Sequence, residues 1–399
     1  MRRNSPLPLP GVLVLVAGVL LVPADGRGQI AVSSNDNKAV LVDGVNTVPA
    51  NPRPDTVSII DLNVSPPRIV AELNVPGGWS APPQSVAVTP DESLALVASS
   101  AKVDPANPTR TVFNDELTVL DLKASPPVIL TTLKTGRRAA GVSVNPAGTL
   151  AVVANRADGT LSVFTIAGKT VTPAGVVDLG DATAEPSLPV FTPDGRTVLV
   201  TMNNGHRVAV LSVDGQKVEY TKRDVAAGLR PYGIEIPPRG DVAVVANIGN
   251  GPTGGSDTIT VLDLTVQPPR AIGGLFVGIV PEGIALSPDG RFLAVSIQNG
   301  TNVPRAAAWH HDAGIVKILR LDGKTLTEVT EAPAGRWCQG LAWNRRSDTL
   351  LVQCAADNQI NVYGFDGRRL TARPPIRVAG SPTGIRTATQ NRAAPQAQR

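Results

Sequence analysis

Short runs of alternating apolar and polar residues, rich in Val, Ile, Leu and Ala, recur along nearly the whole chain, each broken by a turn signal. QIAVSSNDNKAVLVDG (29–44) aligns without a gap on SVAVTPDESLALVASS (85–100). The phrase returns at 141–156, 188–203, 233–248, 283–298 and 340–355, making seven copies. Two period-two runs around a turn such as Pro-Asp-Gly predict a β-hairpin in each copy. A third run follows each hairpin, as in TVSIIDL (56–62), LTVLDL (117–122) and ITVLDL (259–264), and a fourth follows that, as in RIVAELNV (68–75). Four strands in each of seven units, with no helical period between them, predict an all-β fold: a seven-bladed β-propeller of four-stranded antiparallel blades. Closure has two solutions. Gly384-Ile385-Arg386-Thr387-Ala388 reads as one more inner strand, so either it closes the ring and 29–33 lies outside, or the reverse.

The propeller is assigned to 27–388. Ahead of it, Arg2 and Arg3 precede an apolar run from Val12 to Val22, with small residues up to Ala24 and Gly26. This pattern predicts a signal peptide over 1–26, and hence a periplasmic or secreted protein with no membrane association after cleavage. Residues 389–399 read as a disordered tail. Aromatics at 3% and a net charge of +4 exclude base-stacking and phosphate-tracking surfaces, so no nucleic-acid partner is expected. Three His and two Cys leave no zinc cluster and no covalently attached haem. No metal or other cofactor is expected, and the chain is expected to be monomeric.

A Gly, an apolar run and Pro-Asp-Gly, then a strand ending Val-Ala-Asn (Val153-Ala154-Asn155, Val245-Ala246-Asn247), then a strand ending in Asp, resemble the YVTN-type propeller repeat. The resemblance covers about residues 29–388 and is similar to the seven-bladed lactonase-like family, which includes 6-phosphogluconolactonase-type enzymes. It implies the propeller architecture, and no motif carries a catalytic residue over.

In a propeller, loops between second and third strands share a face with the connectors from blade to blade. Here those loops are long in blades 1, 2, 5 and 6: 44–55, 100–115, 248–257 and 299–313. Long loops on one face of a rigid scaffold are a means of binding. The connectors supply the channel mouth, and there Arg138, Arg230, Tyr232, Glu282, Trp337 and Gln339 are the candidate ligand-binding residues. Arg suits anionic or oxygen-rich groups, and Tyr232 and Trp337 add apolar surface. Glu282 is the acid of these segments and the first candidate base; His206 is the second. His310-His311-Asp312 finds no further ligand at metal spacing, and the strand-end residues Asn155, Asn204, Asn247 and Asn358 read as turn-bonding. Cys338 and Cys354 lie equally far on either side of Arg346 at a hairpin turn, so they face each other and predict a disulfide.

With no nucleophile–base pair in view, the leading reading is a non-catalytic exported propeller that binds a small molecule or a protein partner at the loop-rich face. The alternative is a lactonase-like hydrolase acting on a small lactone, with a mouth Glu or His activating water and Arg stabilising the oxyanion. A redox propeller lacks both a haem motif and a repeated Trp pattern.

Overall fold

The structure, a computed structural model, describes residue 1 and residues 29–79, 81–250 and 254–388. The segments read as signal peptide and tail lie outside the described residues, save for residue 1. Twenty-eight strands form seven four-stranded antiparallel sheets arranged as the blades of a propeller. The inner strands are Val86–Val88, Ala139–Val144, Pro186–Phe191, Pro231–Glu235, Pro281–Leu286, Cys338–Trp343 and Ser381–Thr387. Among the described residues, the helical segments are the 3-10 turns Ala182–Ala184 and Ala355–Asp357.

Alternating side chains on each strand face opposite neighbours, and this builds the core. Seven buried apolar clusters fill the seven gaps between adjacent blades. Ala31 joins the cluster between blades 7 and 1, whereas its neighbour Val32 joins the one between blades 1 and 2.

Closure corrects the reading of the first repeat. Blade 1 takes its inner strand, Ser381–Thr387, from the far end of the chain, and Ile30–Asp36 pairs against it as the second strand. Both closing candidates are therefore in the ring. The gapless alignment of 29–44 misplaced this copy, because a strand that closes a sheet from the other terminus leaves no hairpin to align. The remainder of that copy enters a small two-stranded hairpin, Val40–Val42 with Val45–Thr47. The long loop of blade 2 is likewise structured. Strands Leu94–Asp104 and Asn107–Asp121 run on past the blade as a hairpin arm, pairing Ala101 with Phe113 and Val103 with Thr111.

On the face opposite the long loops, the hairpin turns interlock. Gly240 has φ +71°, a conformation suited to glycine, and a Cβ there would lie 3.3 Å from Pro193 of the preceding blade's turn. In two turns that place falls to Glu92 and Ser347, at φ +58° and +59°. These turns flank blade 1, where the repeat is interrupted, and Arg345 of the second pairs with Glu92 of the first.

Candidate active site

Five connectors end in the same way. The residue just before the inner strand is left-handed without being glycine: Arg138, Glu185, Arg230, Val280 and Trp337, with φ between +50° and +58°. Such residues are uncommon and concentrate where a side chain is held for a purpose. Each is fixed by its own carbonyl, which accepts a backbone N–H from the end of the second strand: Arg156, Asn203, Ile248, Gln298 and Ala355 respectively, at 3.0–3.1 Å.

One step further in, the inner strand carries an extra residue relative to its partner. The register shifts between Ala139 and Val142, Pro186 and Pro189, Pro231 and Ile234, Pro281 and Gly283, and Cys338 and Leu341. A bulge re-aims side chains. Here it lets the strands converge on the axis, and a Cβ at Gly141 would lie 2.5 Å from the Ser187 carbonyl of the next blade. The positions preceding or within the bulges form a ring: Gln84, Ala140, Ser187, Tyr232, Glu282, Gln339 and Thr383, all buried.

The two layers meet in blades 3 to 6. Arg138 donates to one Glu185 carboxylate oxygen at 2.9 Å, and Arg156 pairs with the other. Arg156 also donates to Ser187 Oγ at 2.8 Å, and its guanidinium lies 5.4 Å from the centre of the Tyr232 ring. Asn203 Oδ1 accepts from Arg156 and, at 3.1 Å, from Arg230. The Nε groups of Arg156 and Arg230 and Oε2 of Glu282 are buried without a hydrogen-bond partner in the protein. Burial works against charge on Glu185, but Arg156 and Arg138 outweigh it and hold its carboxyl below the usual range. Burial pushes Glu282 up to about 8 and, against the opposing pull of Arg156, Tyr232 up to about 12.

Deeper along the inner strands, a cavity of about 20 Å³ lies beside Glu235 and Arg386, which pair at 2.7 Å. A space of that size holds about one water.

The candidate residues separate into groups. Arg138, Arg230 and Tyr232 gather around Arg156; Glu282 lies near Tyr232 in the ring, which Gln339 also joins; Trp337 packs edge-on to Trp79. His206 is exposed, and its Nδ1 accepts the backbone N–H of Arg230 at 3.1 Å, so it supports the Arg230 turn. His310 and His311 turn Nδ1 to backbone carbonyls. Asn155 joins its strand end to the connector and third strand through Gly136, Thr160 and Ser162, and Asn247 bonds Thr258 and Thr260. Cys354 takes this strand-end place in blade 7 and is disulfide-bonded to Cys338. Among the described residues no group of His, Cys, Asp and Glu has the arrangement of a metal site.

Two members of the cluster escaped the sequence reading. Glu185 corrects the view that Glu282 is the acid of these segments: it precedes Pro186 as Arg230 precedes Pro231, and aligning the connectors on that Pro exposes it. Arg156 follows the Val-Ala-Asn phrase that was read as scaffold.

The family model described as lactonase, 7-bladed beta-propeller, matches residues 112–230. No curated protein matches the sequence. Among solved structures, a putative 6-phosphogluconolactonase from Bacteroides fragilis is similar at 17% identity and TM-score 0.67, covering 91% of this chain and 99% of that one. A periplasmic gluconolactonase from Pseudomonas aeruginosa is similar at 14% identity and TM-score 0.65, covering 92% and 100%. Hydrazine synthase from Kuenenia stuttgartiensis, at 16% identity and TM-score 0.61 over 80% and 93%, shares the fold. The resemblance read from the repeats therefore stands: the chain is a seven-bladed propeller that resembles the lactonase-like family, whose model matches this one stretch of it. The preference for a non-catalytic binding protein is overturned, because the family match falls on the alternative.

Proposed function

We propose that this lactonase-like seven-bladed propeller hydrolyses a small lactone, of the aldonic-acid kind named for its structural neighbours, at the ring of connector residues around its axis. The observation that carries the reading is the buried Glu282 carboxyl, with one oxygen unpartnered, in the same ring as Tyr232, whose own ring lies against Arg156 of the Arg138–Arg156–Arg230 cluster. In the carboxylate form, Glu282 takes a proton from water as the water oxygen bonds to the lactone carbonyl carbon. An Arg guanidinium stabilises the oxyanion that forms. The ring C–O bond then breaks, the departing oxygen takes the proton back from Glu282, and the products are a hydroxyl and a carboxylate.

Three Arg against one ionised Glu in the cluster favour a substrate bearing anionic or oxygen-rich groups. Tyr232 stays protonated at any physiological pH and offers a donor. Export is part of the same proposal, on the strength of Arg2, Arg3 and the Val12–Val22 run, and the Cys338–Cys354 disulfide suits an oxidising compartment. The test is acid release from glucono-δ-lactone in a pH-stat, corrected for spontaneous opening. Catalysis is expected, with kcat/KM climbing with pH to a plateau above about 8. A rate no faster than the uncatalysed opening at every pH overturns the reading.

A further inference from the structure

A cavity of about 400 Å³ opens between blade 1 and the hairpin arm of blade 2, and none of its lining residues belongs to the ring. That volume lies within the range of small-molecule sites. One wall is the end of the long loop of blade 1, Pro52-Arg53-Pro54-Asp55, and the facing wall is Ala101-Lys102-Val103 of the arm. Val75 and Pro76, where the chain leaves the outer strand of blade 1, close the back. The walls hold their shape by themselves. Pro52 and Pro54 fix the backbone on either side of Arg53. The arm is a paired ladder, Ala101 with Phe113 and Val103 with Thr111, and Asp104 ties it by accepting Ala106 N–H at 2.9 Å and Arg110 Nε at 2.7 Å. Val75 is buried in the apolar cluster between blades 1 and 2, and its N–H donates to the Asp55 carbonyl at 3.1 Å. The apolar lining is Pro, Val and Ala, side chains too short to fill the gap.

The charges around the cavity are unevenly matched. The Asp55 carboxylate is fully engaged: one oxygen accepts Asn37 N–H at 2.7 Å, and the other accepts Gly77 N–H at 2.9 Å and the Lys38 ammonium. Lys38 in turn is shared between Asp55 and Asp36. Arg53 donates to the Asn37 side chain at 3.2 Å and to the Ala379 carbonyl, and neither it nor exposed Lys102 pairs with a carboxylate among the described residues. An apolar cavity whose one carboxylate is spent, and whose two cations lack a counter-ion, complements a ligand with an apolar body and an anionic head.

We propose that this cavity is a second binding site, for a small apolar carboxylic acid: the hydrocarbon part lies between the Pro wall and the arm, and the carboxylate meets Arg53 and Lys102. The site shares no residue with the ring, so it stands apart from the proposed lactonase reaction.

The test is calorimetry on the purified full chain with 4-phenylbutyrate, 4-phenylbutanol and 4-phenylbutylamine, which share one apolar body and differ in the head. Wild type is expected to bind the acid about tenfold or more tighter than the alcohol, and to reject the amine. Lys102→Gln should weaken the acid by about fivefold, the scale of one exposed charge contact, and leave the alcohol within about twofold. Val103→Trp fills the cavity from the arm and should abolish binding of acid and alcohol alike, with a cooperative thermal melt showing that the chain still folds. If that variant does not fold, Lys102→Glu, which reverses the charge, should remove the preference for the acid. Three outcomes overturn the proposal: no binding of the acid, equal affinity for acid and alcohol, or an affinity for the acid unmoved by the Lys102 and Val103 changes. A loss of acid binding in Arg156→Ala, with Lys102→Gln unaffected, places the acid in the Arg cluster of blades 3 to 5 and overturns it as well.

Discussion

Two buried ion clusters sit on the same face of the propeller, built from the same kinds of segment, and they are wired differently. In blade 1, Lys38 lies between Asp36 and Asp55 and also reaches the Gly77 carbonyl at 3.4 Å, so each ammonium proton has an acceptor. Burial opposes the charge on Lys38, but Asp36 and Asp55 outweigh it and hold its pKa above the usual range. In blades 3 to 5, three Arg share one Glu and one Asn, and two guanidinium Nε groups stay unpartnered. The first cluster is saturated and joins strand ends to a connector. The second has a surplus of positive charge and spare donors, which makes it the one equipped to receive an anion.

The difference is breakable in both directions. The largest effect is expected at the saturated cluster. Lys38→Ala strands two carboxylates in the interior, and removing one partner of a buried ion pair costs about 3–5 kcal/mol. Urea unfolding measures it, and a loss under about 1 kcal/mol would mean that the cluster is hydrated.

At the unsaturated side, Glu282→Gln is expected to lower kcat by about a hundredfold or more, the scale of general-base catalysis, with folding retained because the replacement keeps the shape of a protonated acid. The stability profile checks the same group. Its folded pKa of about 8 lies above the ordinary 4.5, so between those values the unfolded chain releases a proton that the folded chain keeps. The contribution to stability therefore falls as pH rises across that window. Glu282→Gln should flatten the slope, and an unchanged slope would place the carboxyl in water.

A smaller effect is expected at Arg156. Its replacement by Ala should weaken binding of an anionic product such as gluconate by about tenfold, roughly 1.4 kcal/mol, while the same change at exposed Arg336 leaves binding alone. Equal affinities in the Arg156 variant and wild type would sever the cluster from the site. The smallest effect is a control on the opposite face: Ser347→Gly, at φ +59° in a turn that is Gly in four other blades, should raise stability by up to about 1 kcal/mol without touching activity.

How much of this was legible depended on whether the information was local. Arg138, Arg230, Tyr232 and Glu282 could be placed together because every connector of a propeller ends at the axis. Arg156 could not, because it belongs to the end of a second strand, which the fold ties to the mouth through contacts such as the Arg138 carbonyl accepting its N–H. Trp79 was passed over for the same reason: nothing in VPGGWSAPPQS says that it reaches blade 7.

The sequence by itself determined the blade count, the strand pattern, the loop-rich face and the facing cysteines. All of these are written in period-two alternation and in turn residues a few positions apart, where local sterics and burial decide the outcome. Tertiary structure alone decided the rest. The far terminus supplies the inner strand of blade 1, since closing the ring buries both flanks of that sheet whichever end of the chain provides the strand. The closed ring then brings Glu185 between Arg138 and Arg156 and leaves Glu282 without an ion-pair partner. Ionic character in the interior depends on which charges lie within a few ångströms of one another, and separation along the chain carries no record of that distance.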